Sequence, residues 1–393
     1  MKIVNFFINH YKILILICIL SLIFGNYLRV LNFGFINDDF DLVGKSLDEV
    51  IKSSIYGMHF RPIWYFSFFL IDYIFSPGAF AHHFTNITLH LINLIFAYHI
   101  FKKLFDKQKA LLIVFFWTFL PQLVFQIVWI SGKNDLLMNF FILLSFHLAL
   151  NNKIKTSLAI YFLAFLAKVT CIFYPLIYLV KFGFGFSKKI KIISFILLIV
   201  TLLITIFSTL QGQLQPHIAE LSFPIRILNH IKNFIVGWIT LFFPIPFFPN
   251  FFIALLYLIF ISTVFFIIYR SFKIHRFSLL LMMICFVISI TLSINYQLRI
   301  TYTLSLFLVA TLISFIDFNK LNLLSYNKFL KIIIFLFFLI YGASSSVLTT
   351  NKFKSNQFDI SGEMYIMNDF YLNDFYGKFR SFQIKILKDN NIK

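Results

Sequence analysis

At 393 residues the chain could hold two or three soluble domains, but 60% of it is apolar, only 12% is charged, and Phe alone supplies 58 residues. Ordinary soluble domains carry roughly 25% charged residues, and a folded surface needs polar atoms to cover it, so a water-soluble fold is excluded. The +19 net charge comes from short basic runs between apolar stretches, which is the pattern of positive-inside topology and not of a nucleic-acid face.

In chain order, spans need about 17–25 predominantly apolar residues. Residues 11–30 form the first, behind Lys2 and Lys12, and no small-residue cleavage site follows it at Asn26-Tyr27-Leu28, so it reads as an uncleaved anchor with the N-terminus inside. Residues 32–80 form the first outside loop, with a short apolar stretch at 62–75. Further spans are expected at 81–101, 110–130, 136–150, 192–210, 250–269, 277–294, 300–316 and 332–348. Residues 157–180 lie between two basic stretches, so they enter and leave on one side, yet they are short for two crossings. Residues 233–249 carry Pro244, Pro246 and Pro249, which suits a broken or re-entrant helix. This layout puts 18 of the 34 basic residues inside with only Asp106 and Asp317, and the tail 349–393 outside. The expected fold is all-α and polytopic, with about nine to eleven transmembrane helices. Cys18, Cys171 and Cys285 all sit in apolar segments and make neither a disulfide framework nor a metal cluster.

Carboxylates are scarce, so their positions are informative. Five of the 15 fall within twelve residues of the first outside loop: Asp38, Asp39, Asp41, Asp48 and Glu49. Asp38 and Asp39 stand a few residues past the first span, where a lipid-borne phosphate would meet a watery acceptor. Two like charges this close suit general-base duty or the sharing of a divalent cation, while a solvated acidic loop fits the same spacing. In the span that follows, His83, Asn86, His90 and Asn93 fall within an arc of roughly 80°. A polar stripe in a span faces the bundle interior or a watery cavity, and interhelical hydrogen bonding competes with a direct functional role. His83 and His90 are about 10 Å apart along the helix, too far to share a metal alone.

The order of these elements resembles polytopic GT-C glycosyltransferases, most of all the protein O-mannosyltransferase relatives and their transmembrane-and-tetratricopeptide-repeat branch. The resemblance rests on the first span, Asp38-Asp39-Phe40, Arg61-Pro62, Asp72-Tyr73, and His82/His83 followed by Asn86, His90 and Asn93. Downstream, Ser131-Gly132-Lys133-Asn134-Asp135-Leu136-Leu137 is similar to that branch's Ser-Gly-Arg-x-(Asp/Glu)-Leu-Leu. Leu166-Ala167-Lys168-Val169-Thr170 before Pro175 is similar to its Leu-Ser-Lys-Glu-(Thr/Ser), and Leu298-Arg299-Ile300-Thr301-Tyr302 to its Glu-Arg-x-x-Tyr. The chain departs from the pattern at Val169 and Leu298, where the family has acids, at Asn37, where it often has His, and in lacking the repeats.

The resemblance implies a GT-C-like transmembrane domain over 1–348, with short interfacial helices in the first outside loop, and a polar outside tail over 349–393. It implies an inverting hexosyltransferase of the cell (inner) membrane, moving a sugar from a polyprenyl-phosphate donor to a glycan, lipid or protein acceptor on the outer face. Asp38 would be the base and Asp39 its helper, with a divalent cation, if used, on that pair. Arg299, Lys168, Arg61 and Lys133 would bind the donor phosphate, Arg299 through a bidentate fork. Lys168, mid-segment in 157–180, is too deep for a surface charge. His83, Asn86, His90, Asn93, Asp135 and Tyr302 would support these groups. The partners are then the donor, the acceptor and membrane lipids, with no nucleic acid. Two other classes share some features: a lipid-linked glycan polymerase or ligase, and a transporter or flippase of lipid-linked sugars, which inverted repeats would mark.

Overall fold

The structure, a computed structural model, describes residues 27–35, 39, 42–56, 60–118, 120–168, 171 and 302–314. Among these residues every regular element is helical and no strand is present. The expected first span is described only from Tyr27 onward, and the expected spans at 192–210, 250–269, 277–294 and 332–348, the segment 233–249 and the tail lie outside the described residues.

After a helical turn at Leu28–Val30, helix α1 runs Leu47–Tyr56. It starts on a capping box. Ser46 N–H and Oγ both donate to Glu49 Oε2 at 2.8 Å, and Glu49 N–H returns to Ser46 Oγ. The Ser46 amide, then its hydroxyl, holds the Glu49 carboxyl below its ordinary value. Helix α2, Pro62–Phe75, opens with proline at its first position, where no N–H is needed. A turn through Ser76, Pro77 and Gly78 leads to α3, Ala79–Leu104. Its 26 residues make a rod of about 39 Å. Among the described residues, α3 is the one helix long and apolar enough to cross a membrane, while α2 is apolar but shorter.

The expected single span at 110–130 is instead two helices, α4 at Lys107–Thr118 and α5 at Pro121–Val128. Proline supplies no N–H for the ladder and disfavours helical geometry in the residue before it, so the rod breaks at Pro121. A 3-10 turn, Ile130–Gly132, then feeds α6, Lys133–Leu150. Helix α6 closes on a Schellman motif: Asn152 adopts φ 61° and its N–H meets Ala149 O, while Lys153 N–H meets Leu148 O. That turn reverses the chain into α7, Ile154–Ala167. Helix α7 ends where Lys168 turns extended, and in the rest of the expected segment 157–180 only Cys171 is described. Helix α8, Tyr302–Ser314, falls within the expected span at 300–316.

Helix α6 packs against α7 and α3, α4 against α3 and α8, and α2 lies on α1 and α7. Two clusters hold this together. The larger joins α3 to α8 through Phe101, Phe115, Trp117, Ile142, Phe165 and Phe307. The smaller contains Phe35, Leu42, Val43, Trp64, Phe68 and Ile130, so Phe35, Leu42 and Val43 are seated on α2 and the 3-10 turn. Polar links cross the same contacts. Ser145 Oγ donates to Ser157 O at 2.6 Å and Ser157 Oγ to Ser145 O at 2.8 Å, and Trp117 Nε1 donates to Ser305 Oγ at 3.0 Å.

Helix α3 buries a run of polar side chains and exposes large apolar ones in its N-terminal part. His82, His83, Asn86, His90 and Asn93 are all fully buried, whereas Phe80, Phe84 and Ile95 are more than half exposed. Helix α2 likewise exposes Tyr73, Ile74 and Phe75.

Candidate functional site

The smaller apolar cluster carries a buried polar network on its rim. Asp39 is fully buried and its Oδ1 accepts the Ser131 N–H at 2.8 Å, 92 residues away in sequence. Ser131 sits in the 3-10 turn, and Gly132 beside it allows a close approach. A Cβ on Gly132 would fall 2.8 Å from Gln126 O and 2.9 Å from Gln126 Cα, both backbone atoms. Asn86 on α3 pins the same turn by donating from Nδ2 to Trp129 O at 3.0 Å.

Directly after Gly132, Lys133 points back into the protein. Its ammonium has no lone pair, so Nζ donates to His82 Nδ1 at 2.8 Å. That fixes the other ring nitrogen as the N–H, and His82 Nε2 donates to Asp72 Oδ1 at 2.8 Å. The second Asp72 oxygen accepts the Gly44 N–H, also at 2.8 Å. Phe68 backs the arrangement: its ring stacks on His82 at 5.0 Å between centroids, and the Lys133 ammonium lies 4.3 Å from its centre. Burial disfavours the charged form of Lys133, and the fields of Asp72 and Asp39 favour it.

Lys133 is thus fully buried. The 3-10 turn and the start of α6 aim its side chain at His82 on α3, whose other ring nitrogen meets Asp72 on α2. Lys168 is deep, as its place in the sequence suggests, and it is paired: Nζ donates to both oxygens of Asp135, at 2.7 and 2.6 Å, and both side chains are buried. Of the other expected cations, Arg61 is half-buried, with its guanidinium 5.3 Å from the Trp64 ring. Arg299 and the expected base Asp38 lie outside the described residues. Tyr302 is the first residue of α8.

The stripe on α3 faces inward, and its two amides make interhelical bonds. Beside the Asn86 contact, Asn93 Nδ2 donates to Leu136 O at 3.1 Å. His90 packs edge-on to Tyr27 and against Trp117, both at 5.8 Å, and His83 packs edge-on to Phe33 at 6.4 Å. Among the described residues no group of three or more His, Cys, Asp or Glu is placed to hold a metal ion. Asp39 accepts from Ser131 through one oxygen, and the two oxygens of Asp72 accept from His82 and Gly44.

Sequence reasoning did not place Asp72, His82 or Gly44 in the site. A signal for two of them was present: Asp72 is an acid inside an apolar stretch, and His82 follows it across a Ser-Pro-Gly turn that returns the chain on itself. No family model and no curated protein matches this sequence.

Proposed function

We propose that this chain is a polytopic membrane glycosyltransferase of GT-C type, moving a sugar from a polyprenyl-phosphate donor to an acceptor at the outer face of the cell membrane. The observation that carries the reading is the buried Asp39 carboxylate, held by the Ser131 amide beside the Lys133 cation. Glycosyl transfer from a phosphate needs a group to take or orient the acceptor's hydroxyl proton, which a buried acid beside the loop can supply, and a fixed positive field for the leaving phosphate. Asp38 would be the base, and Asp39, anchored through one oxygen, would orient base or acceptor. Lys133 and Lys168 each face an acid, so their charge is largely offset, and the phosphate would rely most on Arg61 and Arg299.

The membrane part of the reading is supported by α3. It buries His82, His83, Asn86, His90 and Asn93 while exposing Phe80, Phe84 and Ile95, which suits hydrocarbon surroundings. The test is to incubate the purified full-length protein in lipid nanodiscs with polyprenyl-phosphate mannose and polyprenyl-phosphate glucose. A glycosyltransferase breaks the sugar–phosphate bond, leaving polyprenyl phosphate and passing the sugar to an added acceptor hydroxyl or, without one, slowly to water. Movement of intact donor across vesicles without cleavage would instead identify a transporter.

A further inference from the structure

We infer that His82 is a positioning residue that sets the Asp39 carboxylate through a closed ring of hydrogen bonds, an inference that rests on the glycosyltransferase reading for its catalytic meaning. The ring can be followed atom by atom. Asp39 O accepts the N–H groups of Leu42 and Val43 at 3.1 and 3.2 Å. The next residue, Gly44, donates to Asp72 Oδ2; Asp72 Oδ1 accepts from His82 Nε2; and His82 Nδ1 accepts from Lys133 Nζ, each at 2.8 Å. From Lys133 the chain runs back through Gly132 to Ser131, whose N–H returns to Asp39 Oδ1 at 2.8 Å.

Two backbone segments meet at Asp39, the turn at 42–44 and the turn at 130–132. Leu42 and Val43 also share an apolar cluster with Ile130, and Asp39 adds a directional polar link to that packing. The side-chain half of the ring, Asp72–His82–Lys133, ties the far ends of the same two segments together. His82 is its only link with two polar ends and no charge of its own, and it joins a carboxylate to an ammonium. Its ring is fully buried and stacked on Phe68, so it has no alternative partner in water. With both nitrogens engaged, the ring sets the spacing between the two turns and hence the direction of the Asp39 carboxylate. Gly44 belongs to this device because its φ of 74° aims the N–H at Asp72, a conformation that side chains other than glycine's strain to adopt.

The arrangement separates His82 from a residue that merely fills space. A space-filling role needs the stacking on Phe68, whereas a positioning role needs both nitrogens. His82→Phe keeps an aromatic ring against Phe68 and loses both hydrogen bonds, and His82→Gln keeps an amide that can still reach one partner. The full-length protein in nanodiscs would be followed by hydrogen–deuterium exchange and by turnover of polyprenyl-phosphate mannose and polyprenyl-phosphate glucose. His82→Phe should speed exchange at 42–44 and at 131 together by about tenfold, the scale of a lost bond to a charged group. Peptides from 142–165 should be unchanged. Turnover should fall with little change in donor KM, His82→Gln should recover part of it, and on an Asp39→Asn background His82→Phe should cost nothing further. Faster exchange confined to 72–90, or equal losses with and without Asp39, would overturn the inference. Should His82→Phe fail to fold, the exchange pattern of His82→Gln decides. If the parent cleaves neither donor, the glycosyltransferase reading fails, while the exchange pattern still decides whether the ring positions Asp39.

Discussion

Lys168 and Asp135 form a two-pronged ion pair across the α6–α7 hairpin, with Nζ at 2.7 and 2.6 Å from the two carboxylate oxygens and both side chains buried. The residues are 33 apart in sequence. They meet because α7 returns antiparallel to α6 and ends with Lys168 level with the first turn of α6.

That pairing decides how Lys168 variants behave. Breaking a buried pair leaves an uncompensated charge and costs about 3–5 kcal/mol, whereas replacing both partners with apolar groups is often neutral or stabilising. Lys168→Met should therefore lower unfolding stability in detergent markedly, and the Lys168→Met/Asp135→Leu double variant should recover most of it. Equal stability of Lys168→Met and the parent would mean that the pair contributes nothing.

The acidic loop gives a graded expectation. Removing a general base costs about 10²–10⁴-fold in rate. Asp38→Asn should lose turnover on that scale, and Asp39→Asn should lose less, with donor binding kept in both. Asp41→Asn and Asp48→Asn measure the effect of lost loop charge alone. Similar losses in all four variants would reduce the loop to an acidic surface.

Gly132 is constrained by the backbone that it faces. A Cβ there would stand 2.8 Å from Gln126 O, and overpacking of this kind costs about 1–3 kcal/mol. Gly132→Ala should lower the melting temperature and also impair turnover, because the Ser131 N–H that holds Asp39 shifts with it. A variant that melts lower but turns over normally would show that the Ser131–Asp39 bond tolerates the displacement.

Sidedness follows from the proposed topology. Lys52 and Lys155 are both exposed, the first in the loop assigned to the outside and the second beside a basic turn assigned to the inside. Cysteines placed at these positions should react with a membrane-impermeant maleimide from opposite sides. Labelling of both from one side would overturn the topology and the outer-face site with it.

Much of the architecture follows from local chemistry that is legible in the sequence. Apolar length marks α3, the 3.6-residue repeat places His83, Asn86, His90 and Asn93 on one face, and the short apolar stretch at 62–75 coincides with α2. Those features depend on neighbours within a few turns. The break at Pro121 is equally local, and the proline that causes it stands in plain view within the stretch read as one span. The partners of the charges are another matter. That Lys133 reaches His82 across 51 positions, that Lys168 reaches Asp135, and that Asp39 is held by an amide 92 residues away depend on which helices lie side by side. Helix adjacency is set by packing summed over whole faces, and no spacing along the chain encodes it. The sequence alone determined that acids are scarce and that a few charges, Asp72 and Lys168 among them, fall inside apolar stretches, and only the tertiary structure decided which groups they meet.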